Sequence, residues 1–174
     1  ASAQDYEMDF RKLQQQFEQE GNELNAKEFT DYEGVWTSKM RYLRAIYPQE
    51  KENTFAEPGY YSFVKHNREW LFPYAAFCAL RDHFKTANFR EWGEYASFSK
   101  ELLEKLTDKR SLLHTEIYFY LFIQYHLHKQ MVQTKEYAHK KGVALKGDIP
   151  IGISRDSVEA WQYPHLFNFG QQAG

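Results

Sequence analysis

The sequence predicts a mainly α fold: a helical subdomain over residues 1–141, followed by one strand of an α/β barrel and its outgoing loop over 142–174. Three observations carry this reading. Apolar residues recur at three- and four-residue spacing through most of the first 141 positions, the mark of helices with one inward stripe. The run Val143-Ala144-Leu145, set between Gly142 and Lys146-Gly147, is short and apolar enough for an interior strand. The chain has 174 residues, enough for one core, whereas a complete eight-fold barrel takes roughly 250. Several helices and then one strand would be an odd order for an autonomous α/β domain, and is natural for a helical insertion that re-enters a barrel.

Over residues 5–19, Phe10, Leu13 and Phe17 keep helical spacing on a polar background, with Tyr6 and Met8 nearby, which predicts a surface helix ending at Gly21. Phe29, Tyr32, Trp36, Met40 and Leu43 form a stronger stripe, and that helix is expected to end at Tyr47-Pro48, since a proline disfavours helical geometry in the residue before it. Residues 48–59 hold two prolines and a glycine and read as a mobile loop. Residues 60–64 are ring-rich and fit either a helical turn or an extended piece. Asn67 is placed to cap a helix containing Trp70, Leu71, Tyr74, Phe77, Cys78 and Leu80, with Pro73 in its first turns, where an amide is dispensable. This densely apolar helix is the expected centre of the core.

A short helical segment around Trp92 and Gly93 comes next, and Ser97 or Ser99 can cap a helix whose inward face is Leu102, Leu103 and Leu106. The longest periodic stretch, 109–141, puts Leu113, Ile117, Tyr120, Leu121, Leu127 and Met131 on one side together with Gln124 and His128. Gly142 suits the left-handed position that closes such a helix. Val143 to Leu145 then form the strand, Asp148 stands at its end, and a short helix starts from Ser157.

Aromatic residues make up 18% of the chain while mean hydropathy is −0.74, so rings carry the apolar content, either in the core or exposed for stacking. With 22 basic and 24 acidic residues, net charge −2, there is no general attraction for nucleic acid or anionic lipid, and neither is expected as a partner. The single cysteine, Cys78, excludes an internal disulfide and suits a reducing, cytoplasmic setting; its apolar surroundings argue against a reactive thiolate. Nothing resembles a signal peptide or a membrane span. His126 and His128 are two apart and point to different sides of a helix, so no metal site is expected. Gln124 and His128, one turn apart, either line a pocket or are satisfied by neighbours.

Leu145-Lys146-Gly147-Asp148-Ile149-Pro150-Ile151-Gly152, then Asp156-Ser157, Trp161 and Pro164-His165-Leu166-Phe167, resemble the first active-site segment of the amylomaltase or disproportionating-enzyme family, the 4-α-glucanotransferases of glycoside hydrolase family 77. Residues 70–82, from Trp70-Leu71-Phe72-Pro73 to Arg81-Asp82, and Ile123-Gln124-Tyr125-His126-Leu127-His128 fit its long form, found in plant cytosolic and bacterial enzymes. Arg155 stands where many amylomaltases carry an acidic residue, which also fits the long form.

The resemblance implies a helical insertion subdomain of a (β/α)8-barrel glucanotransferase, with 142–174 supplying a barrel strand, active-site loop and short helix. The reaction implied is retaining transfer of glucosyl or maltooligosaccharide units between α-1,4-glucans, with maltose, maltooligosaccharides or a soluble α-glucan as partner. No cofactor and no metal is expected. Nucleophile and acid/base are expected in later segments, so this chain by itself is expected to be inactive. Asp148 is the expected active-site support, against the plainer account of a carboxylate accepting backbone amides in a turn before Ile149-Pro150. Asp156 is either a second support or a helix cap with Ser157; Trp161 either stacks on a sugar ring or pins the loop to the core. The competing function is a non-catalytic helical interaction or carbohydrate-binding module with an aromatic partner surface.

Overall fold

In the computed structural model the described residues are 3–148 and 152–171, with side chains from Arg11 onward. Those residues are helical or irregular, with no strand among them. The helices are α1 (Ala3–Asn25), α2 (Tyr32–Ala56), α3 (Pro58–Phe84), α4 (Lys100–Thr107), α5 (His114–Lys140) and α6 (Val158–Gln162); single 3-10 turns occupy Phe89–Glu91, Gly93–Tyr95 and Pro164–Leu166. The chain divides into two compact units, Ala1–Glu52 and Asn53–Gly174.

In the first unit, α1 continues through Gly21 rather than ending there. Phe17 meets Tyr42 edge to face at 5.0 Å, and Glu20 accepts from Ser38 Oγ at 2.7 Å and from Arg41. Asp31, unremarked in the sequence, caps α2 by accepting the Gly34 amide at 2.8 Å, and Lys27 pairs with it at 2.6 Å. The stripe expected to face inward is turned outward at its start: Phe29, Tyr32 and Trp36 are exposed.

The predicted break at Pro48 and the loop over 48–59 do not form; α2 runs through Pro48 to Ala56. A mid-helix proline costs roughly 3 kcal/mol, and packing of the last turn offsets it. Thr54 is buried with its hydroxyl 3.2 Å from His126 Nε2, and Phe55 lies 4.8 Å from Tyr60 and 6.0 Å from Tyr118. The rule about residues before proline operates one proline later: Glu57 is extended (φ −65°, ψ 129°), and Pro58 occupies the first turn of α3, where no amide is needed.

Helix α3 therefore begins well before Asn67, absorbs residues 60–64 as helix, and carries Pro73 in its interior. Asn67 caps nothing: its side chain bridges Phe63 O (2.8 Å) and Trp70 Nε1 (2.9 Å). The expected core helix is nevertheless this one. Leu71, Ala75, Ala76, Ala79 and Leu80 are fully buried, as are Ile117 and Leu121 of α5, its main packing partner. Alanines at 75, 76 and 79 let the two backbones approach, and each buried leucine or isoleucine contributes about 1.5–3 kcal/mol. Beyond Tyr125, α5 leaves the core: Leu127 and Met131, expected on its inner face, are exposed.

Ser99 caps α4, accepting the Leu102 amide at 3.0 Å, and Leu106 is the buried residue of its face. At the end of α5, Gly142 adopts φ +73°, as its sequence position suggested. The Gly142 amide donates to His139 O (3.0 Å) and the Val143 amide to Ala138 O (2.9 Å), so both last-turn carbonyls are satisfied. The strand expected at 143–145 is absent. Residues 143–148 are irregular, and Val143 and Leu145 are about half exposed, because a strand needs a ladder partner and none of the described residues supplies one. No described helix is long and apolar enough to cross a membrane.

Candidate functional site

Asp148 lies exposed in the irregular segment after α5. The turn expected next to it, at Ile149-Pro150, falls outside the described residues. From Gly152 the path is set by short polar contacts. Ser154 Oγ accepts the Asp156 amide at 3.3 Å, and Ser157 Oγ accepts the Ala160 amide at 3.3 Å, capping α6. Of the Asp-Ser pair the serine is therefore the cap, and the Asp156 carboxylate is used elsewhere.

Helix α6 has five residues, too few to persist without tertiary support. Trp161 provides it. The indole is 1% exposed, donates from Nε1 to Tyr95 O at 2.9 Å, and meets Phe98 at 5.0 Å, Trp92 at 5.9 Å and Phe77 at 6.0 Å. Trp92 is fully buried in the same cluster, donating to Thr86 O at 3.0 Å and lying 5.0 Å from Phe77. Rings thus fill this part of the core while others, such as Tyr61, Trp70 and Tyr137, stay exposed, and no face of Trp161 is open to a ligand.

The Asp156 carboxylate pairs with Arg90 Nη1 at 3.1 Å. Arg90 belongs to the Phe89–Glu91 turn, yet Nη2 donates to the Arg155 carbonyl at 3.5 Å and the guanidinium lies 4.6 Å from the Phe89 ring and 5.4 Å from that of Phe169. Beside it is a cleft of about 750 Å³. One wall is Gly152, Ile153, Ser154 and Arg155; the other is Phe167, Asn168, Phe169 and Gln171. Arg155 spans it, Nη2 donating to Gln171 O at 3.4 Å. Hydroxyl, amide and guanidinium groups set against two phenyl rings are the mixture that takes a sugar, whose hydroxyls need hydrogen bonds and whose C–H faces sit on rings. Asp156 adjoins this cleft through Arg155, Trp161 lies in the core behind it, and Asp148 is not part of its described lining.

A second polar grouping ties α3 to α5. Tyr120 Oη donates to Asp82 Oδ2 at 2.5 Å, and Arg81 donates to Asp82 Oδ1 (3.0 and 3.1 Å) and to Tyr120 Oη (3.1 Å). Burial, with the adjoining Asp82 charge, pushes the Tyr120 hydroxyl far above its ordinary value. Burial also lifts Tyr74 to about 12 and Cys78 to about 11, so Cys78 is a neutral thiol. Gln124 is partly buried on the face of α5 toward Tyr74, and the His128 ring lies 4.8 Å from Phe63. Neither residue lines the 152–171 cleft, and His128 is exposed. At the start of α3, Glu57 accepts from Tyr125 Oη (2.6 Å) and Lys129 Nζ (2.9 Å), which together hold its carboxyl below the usual range.

Arg90 and Glu57 were not singled out by sequence reasoning, and Asp82 and Tyr120 were named without their pairing. Arg81-Asp82 inside an apolar helix was an available signal; Arg90 pairs 66 positions away, which no local pattern reveals.

Residues 3–174 match the profile of the family described as 4-alpha-glucanotransferase. Among curated relatives, the chain is 42% identical over 162 residues to 4-alpha-glucanotransferase DPE2 of Oryza sativa subsp. japonica, covering 93% of this chain and 17% of the relative. It is 31% identical over 157 residues to the 4-alpha-glucanotransferase of Chlamydia muridarum, covering 90% and 29% respectively. To that of Clostridium butyricum it is 31% identical over 150 residues, covering 86% and 30%. The chain thus spans between about one sixth and one third of the length of these relatives. No solved structure matches it significantly.

Proposed function

Because the chain belongs to the 4-alpha-glucanotransferase family, we propose that it serves a larger enzyme moving glucosyl or maltooligosaccharide units between α-1,4-glucans by retaining double displacement. In that scheme one carboxylate attacks the anomeric carbon as a carboxylic acid protonates the leaving sugar oxygen; a glucan hydroxyl then resolves the covalent glycosyl-enzyme, the first acid now acting as base. The two groups stand roughly 5–5.5 Å apart in such enzymes. We assign neither to this chain, which spans only 17–30% of its relatives.

Residues 1–141 form the helical subdomain in this reading, and 142–174 carry a barrel strand, active-site loop and short helix. Val143 to Leu145, without a ladder partner here, would gain one from the neighbouring barrel strands. Asp148 accepts hydrogen bonds from sugar hydroxyls or orients the reacting carboxylates, Asp156 fixes the loop through Arg90, and Trp161 anchors it. The observation that carries the reading is the 152–171 cleft, with its sugar-compatible lining, a few residues beyond Asp148. Maltose, maltooligosaccharides or a soluble α-glucan are the proposed substrates. A cytoplasmic setting belongs to the same proposal, supported by a lone buried, unpaired cysteine, Cys78.

The test uses the full-length enzyme containing this chain, incubated with maltotriose. Redistribution into longer and shorter oligosaccharides is expected, with none from residues 1–174 alone. Asp148→Ala should lower kcat by roughly 10²-fold, as loss of an oriented polar contact at the reacting centre does. A variant that redistributes maltotriose at the normal rate removes Asp148 from the site.

A further inference from the structure

We propose that Arg90 is a positioning residue that holds the two walls of the 152–171 cleft at the separation an α-glucan chain requires; its ligand class rests on the glucanotransferase reading, its geometry does not. The cleft's walls come from the two ends of one segment, Gly152–Arg155 and Phe167–Gln171. Between them the chain is fixed at one deep point, Trp161, whose indole is 1% exposed and bonded to Tyr95 O at 2.9 Å. That anchor sets the base of the segment and leaves its two ends to be fixed by something else.

Arg90 reaches both. Nη1 pairs with Asp156 at 3.1 Å and Nη2 meets the Arg155 carbonyl at 3.5 Å, on the first wall; the guanidinium plane lies 5.4 Å from the Phe169 ring, on the second. Its own seat is firm. The Phe89 ring lies 4.6 Å from the guanidinium, and Asn88 Oδ1 accepts from Nη1 at 3.4 Å. Only a planar, multiply donating cation can serve a carboxylate, a carbonyl and two rings at once; a lysine ammonium delivers a point charge to one of them. Arg155, whose carbonyl Arg90 holds, is the residue that crosses the cleft to Gln171 O at 3.4 Å, so moving Arg90 moves that crossing too.

A half-exposed ion pair adds little to global stability, and Arg90 lies outside the α3–α5 core. Replacing it should therefore change the cleft without unfolding the protein.

The experiment compares wild type, Arg90→Ala and Arg90→Lys in the full-length enzyme. Amide hydrogen exchange of peptides from 152–156, 167–171, α3 and α5 is measured, with the unfolding midpoint and with kcat and KM for maltooligosaccharide disproportionation. For Arg90→Ala, exchange should rise in both wall peptides together and stay unchanged in α3 and α5. KM should rise roughly three- to tenfold with kcat nearly constant, the signature of lost ground-state binding. Arg90→Lys should fall between wild type and alanine. Unchanged exchange in either wall overturns the proposal, as does an unchanged KM with kcat and unfolding midpoint falling together. If wild type transfers nothing between maltooligosaccharides while Arg90→Ala still loosens both walls, the positioning role stands and the glucanotransferase reading falls.

Discussion

Tyr120 and Asp82 share a 2.5 Å hydrogen bond between α5 and α3, with the phenol as donor and Arg81 held to the other carboxylate oxygen at 3.0 Å. Tyr120 is almost fully buried, so this contact joins the two core helices in a setting where a lost partner is costly. Tyr120→Phe should lower the unfolding free energy by about 1–2 kcal/mol. Arg81→Ala, which leaves a half-buried carboxylate without its cation, should cost more, about 2–3 kcal/mol. Urea unfolding midpoints of the two variants test the order.

Gly59 lies under the Tyr125 hydroxyl: a Cβ there would meet Oη at 2.7 Å. Alanine in a helix is favoured over glycine by about 1 kcal/mol, and the clash opposes it by about 1–3 kcal/mol. Gly59→Ala should therefore destabilise the wild type by pushing Tyr125 away from Glu57, and should become stabilising in a Tyr125→Phe background. A double-mutant cycle on unfolding free energies reads the change of sign.

Alkaline pH should weaken the fold through the α3–α5 seam. Burial raises Cys78 from 9.0 to about 11, and burial with donation to Glu57 raises Tyr125 from 10.0 to about 12. Both folded values lie above the unfolded ones, so the contribution is complete below about pH 9 for Cys78 and pH 10 for Tyr125. It is lost as pH rises through about 11 and 12 respectively. Urea midpoints should fall across this window, and Cys78→Ala should flatten the part between pH 9 and 11.

Trp161→Ala should cost about 3–5 kcal/mol, the range for emptying a tryptophan site in a packed core. Trp161→Phe keeps most of the ring contact and loses the bond to Tyr95 O, so it should cost less. Limited proteolysis should cut the alanine variant within 152–171 well before α3 or α5, since Trp161 is the large side chain that sinks the short α6 into the ring cluster.

The helical character, the core role of α3 and the closing glycine of α5 were legible in the sequence, because each depends on neighbours within a turn or two; the caps were narrowed only to Ser97 or Ser99 and to Asp156 or Ser157, and the geometry selects Ser99 and Ser157. Pro48 and Pro73 were misleading for one reason: a proline penalty of a few kcal/mol is visible locally, while the packing that offsets it comes from residues far along the chain, His126 and Tyr118 of α5 against Thr54 and Phe55, and the rest of α5 against the buried face of α3. The predicted strand had the right composition but no partner among the described residues, and pairing is never a property of one segment. At the candidate site, Asp148, Asp156 and Trp161 are expectations drawn from a motif; the geometry gives Asp156 an ion pair with Arg90 and buries Trp161. Arg90, which contacts Asp156, the Arg155 carbonyl and the Phe169 ring, had no motif to betray it, and neither did the direction in which Trp161 would point.

Gly142 closes α5 by turning its own amide and that of Val143 back onto the helix's carbonyls, at 3.0 and 2.9 Å. The last turn thus asks nothing of residues 144 onward. Displacing the segment that follows therefore breaks no hydrogen bond of α5, and its hold on the helices rests on Trp161 and on the Asp156–Arg90 pair instead.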